Sequence, residues 1–353
     1  LSGKDKKPLV GILILGYNDK EYLNDVFHDV LKQKYDNFTV TFIDNASVDG
    51  SYEFVKDNFP QVELVKNSRN LGYSGAFDKE MSRKFNQQNY DAVIVMNPDM
   101  EIEDELLIDK MVNTAYKNKD VALVQPKIYL YNPEKKRLIN TLGNEINYLG
   151  FSYVVGINEE DQTDSEQDRE IVCASGACLL IKKDFYKQAG GFDRDFFAYV
   201  EDTDLSWRAH LFGRKVMLCS STFVWHKYEF HRNDKRPWKM QALERNRYLA
   251  LVKNYSCSTI IKLMPALLLI DAGVLVFALK QGWFFKKIMS YYEIIRLLHA
   301  ASSKRKRIQT KRVVRDRDVM RKFSGSINAV FVENRLLDFF NRLFVMYYKL
   351  LVR

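Results

Sequence analysis

The sequence predicts an α/β protein: a Rossmann-like, mostly parallel sheet flanked by helices, followed by a C-terminal basic, amphipathic helical region. Three observations predict it. Short apolar runs alternate with helically patterned segments through the first hundred residues, as in a parallel sheet covered by helices on both faces. Polar clusters fall at the ends of those runs, where such sheets bind ligands. Charge is also divided along the chain. Residues 241–353 hold 22 Lys and Arg against 7 Asp and Glu, so the back carries +15 of a total of +9 and residues 1–240 carry −6.

The elements follow in order. Leu9–Leu15 reads as a buried strand ending at Gly16. Tyr22–Lys32 places Leu23, Val26, Phe27, Val30 and Leu31 at helical spacing. Phe38–Ile43 is a second strand, and Ser51–Asn58 a helix with Ser47 or Asp49 as N-cap. Val62–Val65 is a third strand, a helix lies near Gly75–Asn86, and Ala92–Met96 is a fourth strand stopped by Pro98. Further strands are expected at Val121–Gln125, Lys127–Tyr131, Tyr148–Val155 and Ala177–Ile181, with a charged exposed loop at Asn158–Glu170. Helical patterning returns at Asp184–Ala189 and Glu201–Phe212, with Gly213 suited to the C′ position.

Composition narrows the class. A chain of 353 residues accommodates one large α/β domain with an appendage, or two modest domains. With 46% hydrophobic and 28% charged residues, wholesale disorder is excluded. Cys173, Cys178, Cys219 and Cys257 are too few and scattered for a disulfide framework and suit a reducing compartment. The opening Leu-Ser-Gly-Lys-Asp-Lys-Lys lacks the apolar core of a signal peptide.

Four segments carry chemistry. Asp44-Asn45-Ala46-Ser47-Val48-Asp49-Gly50-Ser51 follows a strand and opens a helix; a carboxylate there can accept from a nucleobase N–H, or build an Asx turn. Asn97-Pro98-Asp99 ends a strand; such a carboxylate can hold Mg²⁺ or Mn²⁺ when a diphosphate supplies other oxygens, or simply build a turn. Phe197–Arg208 sets Glu201, Asp202 and Asp204 at a helix start, where one acid would satisfy the helix dipole. Val224-Trp225-His226 offers a ring nitrogen as a ligand or a structural contact, and His231 is a second candidate. No Gly-x-Gly-x-x-Gly follows the first strand and no Gly-x-x-x-x-Gly-Lys occurs, which argues against a dehydrogenase or a P-loop enzyme.

Taken in order, these segments resemble the family 2 inverting glycosyltransferases of the A-type glycosyltransferase fold, most closely their rhamnosyltransferase-like branch. The matching elements are Leu15-Gly16-Tyr17-Asn18, Ile43–Ser51, Asn67–Gly75, Met96-Asn97-Pro98-Asp99, Ser175-Gly176-Ala177-Cys178, Gly190-Gly191-Phe192-Asp193, Phe197–Arg208 and Trp225-His226, across residues 8–255. Glu244-Arg245-Asn246-Arg247-Tyr248 also looks like this branch. The resemblance implies that Tyr17 and Asp44 hold the donor's base, that Asn70 and Gly72 shape the nucleotide pocket, and that Asn18, Asn45 and Asn97 complete the donor site. Asn97 stands where the family's Asp-x-Asp motif has its first acid; Asp99 matches the second and, with His226, would hold Mg²⁺ or Mn²⁺. Asp202 matches the catalytic base, and Glu201 would position the acceptor. Trp207, Asp204 and Arg208 would contact the acceptor, with Asp204 alternatively capping its helix or pairing with Arg208. The implied reaction transfers a sugar, L-rhamnose from dTDP-L-rhamnose or another sugar from a UDP-sugar, to a lipid-linked saccharide of cell-envelope polysaccharide synthesis. A nucleotidyltransferase, and a non-catalytic membrane- or nucleic-acid-binding protein, are the competing readings.

The expected organisation is a catalytic domain over residues 1–255, with a nucleotide-sugar half over about 1–120 and an acceptor half over about 121–255, and a helical membrane-associating region over residues 256–353. The apolar stretch 263–279, about 17 residues with Pro265 and Asp271 inside, reads as short for a span, which needs ~20 apolar residues. Helices lying in the interface, with Lys304–Arg307 and Lys311-Arg312 on anionic headgroups, are therefore expected, peripheral or monotopic at the cytoplasmic face of the cell membrane and without nucleic acid. The same helices are a candidate homodimer interface.

Overall fold

The computed structural model describes residues 7–163, 165–228, 237–328 and 335–353, without the side chains of residues 335–336. His231 lies outside the described residues. The chain forms two compact units, one from residues 1–144, 154–197 and 214–229, the other from residues 145–153, 198–213 and 230–353.

The chain begins with β1 (Val10–Gly16), α1 (Lys20–Leu31), β2 (Phe38–Asp44), α2 (Ser51–Asn58), β3 (Glu63–Lys66), α3 (Gly72–Asn86) and β4 (Ala92–Met96). It continues through β5 (Met100–Glu101), α4 (Leu107–Lys117), β6 (Val121–Leu130), β7 (Ile139–Thr141), β8 (Asn144–Ile146) and β9 (Ser152–Val154). Then come β10 (Arg169–Glu170), β11 (Cys178–Lys182), α5 (Lys183–Ala189), α6 (Glu201–Leu211) and β12 (Lys215–His226).

Ten strands of the first unit make one mixed sheet, ordered β10-β12-β6-β11-β4-β1-β2-β3, with β5 on β12 and β7 on β6. Strands β3, β2, β1 and β4 run parallel, β6 and β12 are parallel to each other, and β11 runs antiparallel between β4 and β6. The register sets Gly16 opposite Asp44 and Ile14 opposite Met96, so three parallel strands finish together. The expected helical stripe holds: Leu23, Val26, Phe27 and Val30 are fully buried, and Phe27 meets Phe42 edge-on at 5.7 Å.

Three local expectations are corrected. The two runs around Pro126 are one strand, β6. Proline has no N–H for the ladder, and β12 breaks register after Cys219, opposite Pro126, resuming at Phe223 opposite Lys127. Within Tyr148–Val155 only Ser152–Val154 is strand, because Gly150 at φ +87° turns the chain and Asn147 N–H bonds to Phe151 O at 2.7 Å. The N-cap of α2 is Gly50 at φ +84°, and Asp49 Oδ1 accepts from Ser51 N–H one residue later.

The second unit is helical: α6, α7 (Pro237–Asn254), α8 (Cys257–Lys280), α9 (Phe284–Lys311), α10 (Asp316–Met320) and α11 (Arg335–Val352). Fully buried Lys287 of α9 bonds Glu244 of α7, which also holds Arg247 at 2.9 Å. Arg305 donates to the carbonyls of Val252 and Tyr255, and Gln309 to those of Lys253 and Asn254, so α9 supplies donors for the end of α7. Arg312 pairs with Asp316 at 2.7 Å. Arg305 and Arg312 thus serve the fold, and the expectation that they lie on lipid headgroups is corrected; Lys306, Arg307 and Lys311 are exposed.

Helix α8 is also longer than the apolar run suggested. Its 24 residues pass through Pro265 and span about 36 Å at 1.5 Å per residue, enough to cross a membrane by length and composition. Asp271 does not interrupt it, because its carboxylate meets Lys287 at 2.7 Å and the hydroxyls of Tyr248 and Tyr291. Ile261, Leu268, Val276 and Leu279 of α8 are exposed, as are Phe285, Ile288, Tyr292 and Ile295 of α9.

Candidate active site

The predicted donor residues meet at the carboxyl ends of β1, β2 and β4. Asn45 N–H bonds to Gly16 O at 2.9 Å and Asn67 N–H to Asp44 O at 2.8 Å, which ties the strand ends together. Asn45 organises the next loop: its Nδ2 donates to Asn70 Oδ1 at 2.9 Å, and its Oδ1 accepts from Leu71 N–H at 3.0 Å and Asn67 Nδ2 at 3.2 Å. Asn70 Oδ1 in turn accepts from Gly72 N–H at 2.8 Å. Gly72 adopts φ +71°, and a Cβ there would lie 2.3 Å from Phe197 O, so both backbone freedom and space demand glycine. Asn18, at φ +62°, accepts from Val48 N–H and donates its own N–H to Ser47 Oγ, while Tyr17 stays about half exposed.

Asp44 is fully buried, yet among the described residues only its Oδ1 has a partner, Ser47 N–H at 3.1 Å, and Oδ2 has none. A buried acceptor without a donor is costly unless something else completes it. Asp99 repeats the pattern with Oδ1 buried and unpartnered. Its Oδ2 lies 3.1 Å from Nε2 of His226, and Asn97 N–H anchors the turn on Ala177 O at 2.9 Å.

His226 is 5% exposed, and its Nδ1 lies 2.9 Å from Asn140 Oδ1. An acceptor there keeps the proton on Nδ1 and leaves the Nε2 lone pair facing Asp99. Protonated, the ring donates to Asp99; neutral, two lone pairs face each other and a cation satisfies both. The Asp99 carboxylate, with Oδ1 unpartnered among the described residues, and the oriented His226 imidazole therefore fit a divalent ion, with Asn140 orienting the ring. Among the described residues no group of three or more His, Cys, Asp or Glu side chains assembles a complete metal site, so a bound ion would need ligand oxygens from elsewhere.

Asp19 belongs to this neighbourhood and sequence reasoning missed it. Burial raises its carboxyl pKa to about 6, opposed by Tyr17 N–H, with the charges of Asp99, Asp49 and Glu21 adding to the rise. Its signal was its place beside Tyr17-Asn18. The fold holds this proton more tightly than the unfolded chain, so stability is full below pH ~4 and falls as pH rises through about 6. The shift corresponds to at most ~3 kcal/mol, or about 1 kcal/mol once solvent screening of a partly exposed carboxyl is allowed for. Asp19→Asn should remove that slope between pH 4 and 6, as read from urea midpoints in chelator.

In the second unit the three acids have separated. Asp204 is fully buried and pairs with Arg208 at 2.9 Å, Lys253 at 3.0 Å and Asn254 Nδ2 at 2.9 Å. Trp207 is fully buried between Tyr255 and Phe323, with ring centroids at 4.6 and 5.0 Å. Arg208 is 3% exposed. The expectation that Trp207, Asp204 and Arg208 contact the acceptor is corrected: they form interior packing and an interior ion cluster, and the pairing of Asp204 with Arg208 is observed. Glu201 is buried at the helix start, and Asp202 alone of the three acids keeps partial exposure.

The family model for glycosyl transferase family 2 matches residues 12–190, just over half of the chain. The chain belongs to glycosyl transferase family 2. It is therefore a glycosyltransferase, as the order of its motifs implied. It is 26% identical over 237 residues to an N-acetylglucosaminyl-diphospho-decaprenol L-rhamnosyltransferase of Mycobacterium tuberculosis, covering 62% of this chain and 76% of that protein. It is 20% identical over 251 residues to the low-salt glycan biosynthesis hexosyltransferase Agl10 of Haloferax volcanii, covering 68% of this chain and 75% of that protein. Among solved structures it resembles GalNAc-T7, crystallised with UDP, GalNAc and Mn²⁺, with a TM-score of 0.55 and 14% identity over 70% of this chain and 48% of that one. That likeness supports the A-type fold of this family 2 glycosyltransferase.

Proposed function

We propose that this glycosyltransferase is an inverting enzyme that moves L-rhamnose from dTDP-L-rhamnose to a hydroxyl of a lipid-linked saccharide in cell-envelope polysaccharide synthesis. The observation that carries the donor site is the pair of buried, unpartnered carboxylate oxygens, Asp44 Oδ2 and Asp99 Oδ1, at the ends of β2 and β4. Asp44 accepts the imide N–H of the base, Tyr17 lies against the base, and Asn18, Asn45, Asn70, Gly72 and Asn97 shape the pocket. Asp99 and His226 hold Mg²⁺ or Mn²⁺. The ion would neutralise charge on the diphosphate as it departs. Asp202 takes the proton of the acceptor hydroxyl while that oxygen bonds to the anomeric carbon, and Glu201 positions the acceptor. One displacement inverts the centre, so no covalent enzyme intermediate forms. The rhamnose assignment follows the mycobacterial relative. The hexosyltransferase relative supports transfer of another hexose as the second reading, for which a UDP-sugar is the donor to test.

Incubation with dTDP-L-rhamnose, UDP-GlcNAc and UDP-Glc, each with a lipid-diphosphate acceptor, separates the two. Release of dTDP alone supports rhamnose and release of UDP alone replaces it, while pyrophosphate released in a separate incubation with dTTP or UTP and a sugar 1-phosphate would indicate a nucleotidyltransferase.

Residues 1–255 are proposed as the catalytic domain and residues 256–353 as the region that holds it to the cytoplasmic face of the membrane. The exposed apolar residues of α8 and α9, with Lys306, Arg307 and Lys311 beyond them, support this reading. In a flotation assay the full chain should rise with anionic vesicles at low salt. Failure to float, with dimers by light scattering, would assign these helices to self-association instead.

A further inference from the structure

The lead-in to α6 is unusual in its backbone. Phe197, Tyr199 and Val200 have φ of +63°, +72° and +70°, a region that non-glycine residues avoid and β-branched residues avoid most. Such conformations persist only where the surroundings over-determine them. In the second unit the over-determining group is on α7. Asn246 is fully buried, and its Nδ2 donates to Ala198 O at 2.9 Å and Tyr199 O at 2.8 Å. Both hydrogens of one amide nitrogen are thereby used on consecutive carbonyls. Its Oδ1 accepts from Arg245 Nε at 2.8 Å, and Arg245 Nη1 meets Glu293 of α9 at 2.9 Å, which fixes the orientation of the amide. The next carbonyl, Val200 O, accepts the helical bond from Asp204 N–H at 2.8 Å. The three carbonyls before Glu201 and Asp202 are thus each held.

We infer that Asn246 is a positioning residue for the reaction: it fixes the left-handed lead-in so that Asp202 projects from the first turn of α6 in one orientation. The inference rests on the reading of Asp202 as the base. Asparagine suits the task because it offers two N–H groups from a short, rigid side chain. Aspartate would set a carboxylate against two carbonyl oxygens, and alanine would take this donor from two partly buried carbonyls.

The experiment uses the full chain with Asn246→Ala. Hydrogen exchange followed by mass spectrometry should show peptides covering 198–204 exchanging at least ~10-fold faster, with the rest of the chain as in wild type. On whichever donor the panel shows to be consumed, kcat should fall at least ~10-fold while the affinities for dTDP and UDP, measured by calorimetry, stay within about twofold of wild type. Adding Val200→Gly, which removes the side chain that disfavours positive φ, should recover part of kcat. If Asn246→Ala does not fold, the same measurements on Asn246→Gln, which keeps the donors but displaces them by a methylene, decide the matter. Wild-type exchange over 198–204, or faster exchange with wild-type kcat, overturns the inference. Full activity of Asp202→Asn would defeat the base assignment and leave the exchange result standing, so the two failures are distinguishable.

Discussion

Asp99→Ala should lower turnover by at least ~10²–10³-fold, the scale on which loss of a group that balances developing negative charge is felt. The side chain sits in the turn after β4, where its backbone carbonyl accepts from Lys227 N–H at 2.8 Å. That bond and the antiparallel pairing of His226 with Met100 involve only backbone, so the turn survives the substitution. Folding should change little, because Oδ1 has no partner among the described residues and the loss of Oδ2 from His226 leaves that ring held by Asn140. The second readout is independent of catalysis: Mn²⁺ titrated in the presence of dTDP or UDP should bind wild type and not the variant. Unchanged turnover in excess EDTA, or in Asp99→Ala, would remove the ion and this carboxylate from the mechanism.

Asp202→Asn should lower kcat by at least ~100-fold and leave nucleotide affinity near wild type. An amide keeps the shape and hydrogen bonding of the carboxylate but cannot take a proton, and a positioned base contributes ~10²–10⁴-fold. Asp204→Asn is the informative contrast. Asp204 pairs with both Arg208 and Lys253 in the interior, so removing its charge takes a buried carboxylate from two cations at once. Breaking such a buried cluster costs about 3–5 kcal/mol. Its defect should therefore appear as a lowered unfolding midpoint, and Asp202→Asn should show none. A stable, inactive Asp204→Asn beside an active Asp202→Asn would reverse the assignment.

The contrast also shows what the sequence could reveal. Strand ends, turn residues and helix starts are local, and the polar clusters at 16–18, 44–51, 70–72 and 97–99 do converge at one edge of the sheet. Helical spacing puts Glu201 and Asp204 on one face and Asp202 about 100° from Glu201, but carries no information on depth. Burial of Asp204 depends on Lys253 and Asn254, some fifty residues away, and burial of Trp207 on Tyr255 and Phe323. Asn140 was invisible for the same reason: it reaches His226 across 86 positions of sequence. Asp271 read as a break in an apolar helix because its partner, Lys287, lies beyond a turn. Long-range pairing decides which charged residues are interior, and no spacing rule encodes it.

The donors that α9 lends to the last turn of α7 bear on how the enzyme could be handled and how it could have been assembled in evolution. A truncation after residue 255 is the obvious way to make a detergent-free protein. It would strip Arg305 and Gln309 from four carbonyls and Lys287 from Glu244, on the helix that also supplies Lys253 and Asn254 to Asp204. The tail is therefore no detachable tether, and shortened versions should be insoluble for reasons unrelated to lipid. Solubilisation is better sought by exchanging outward residues such as Leu268, Leu279, Phe285 and Ile295 for polar ones, leaving the inward face of α9 intact. By the same logic, the exposed face of α8 and α9 can drift among homologues with the interior contacts of α7 kept.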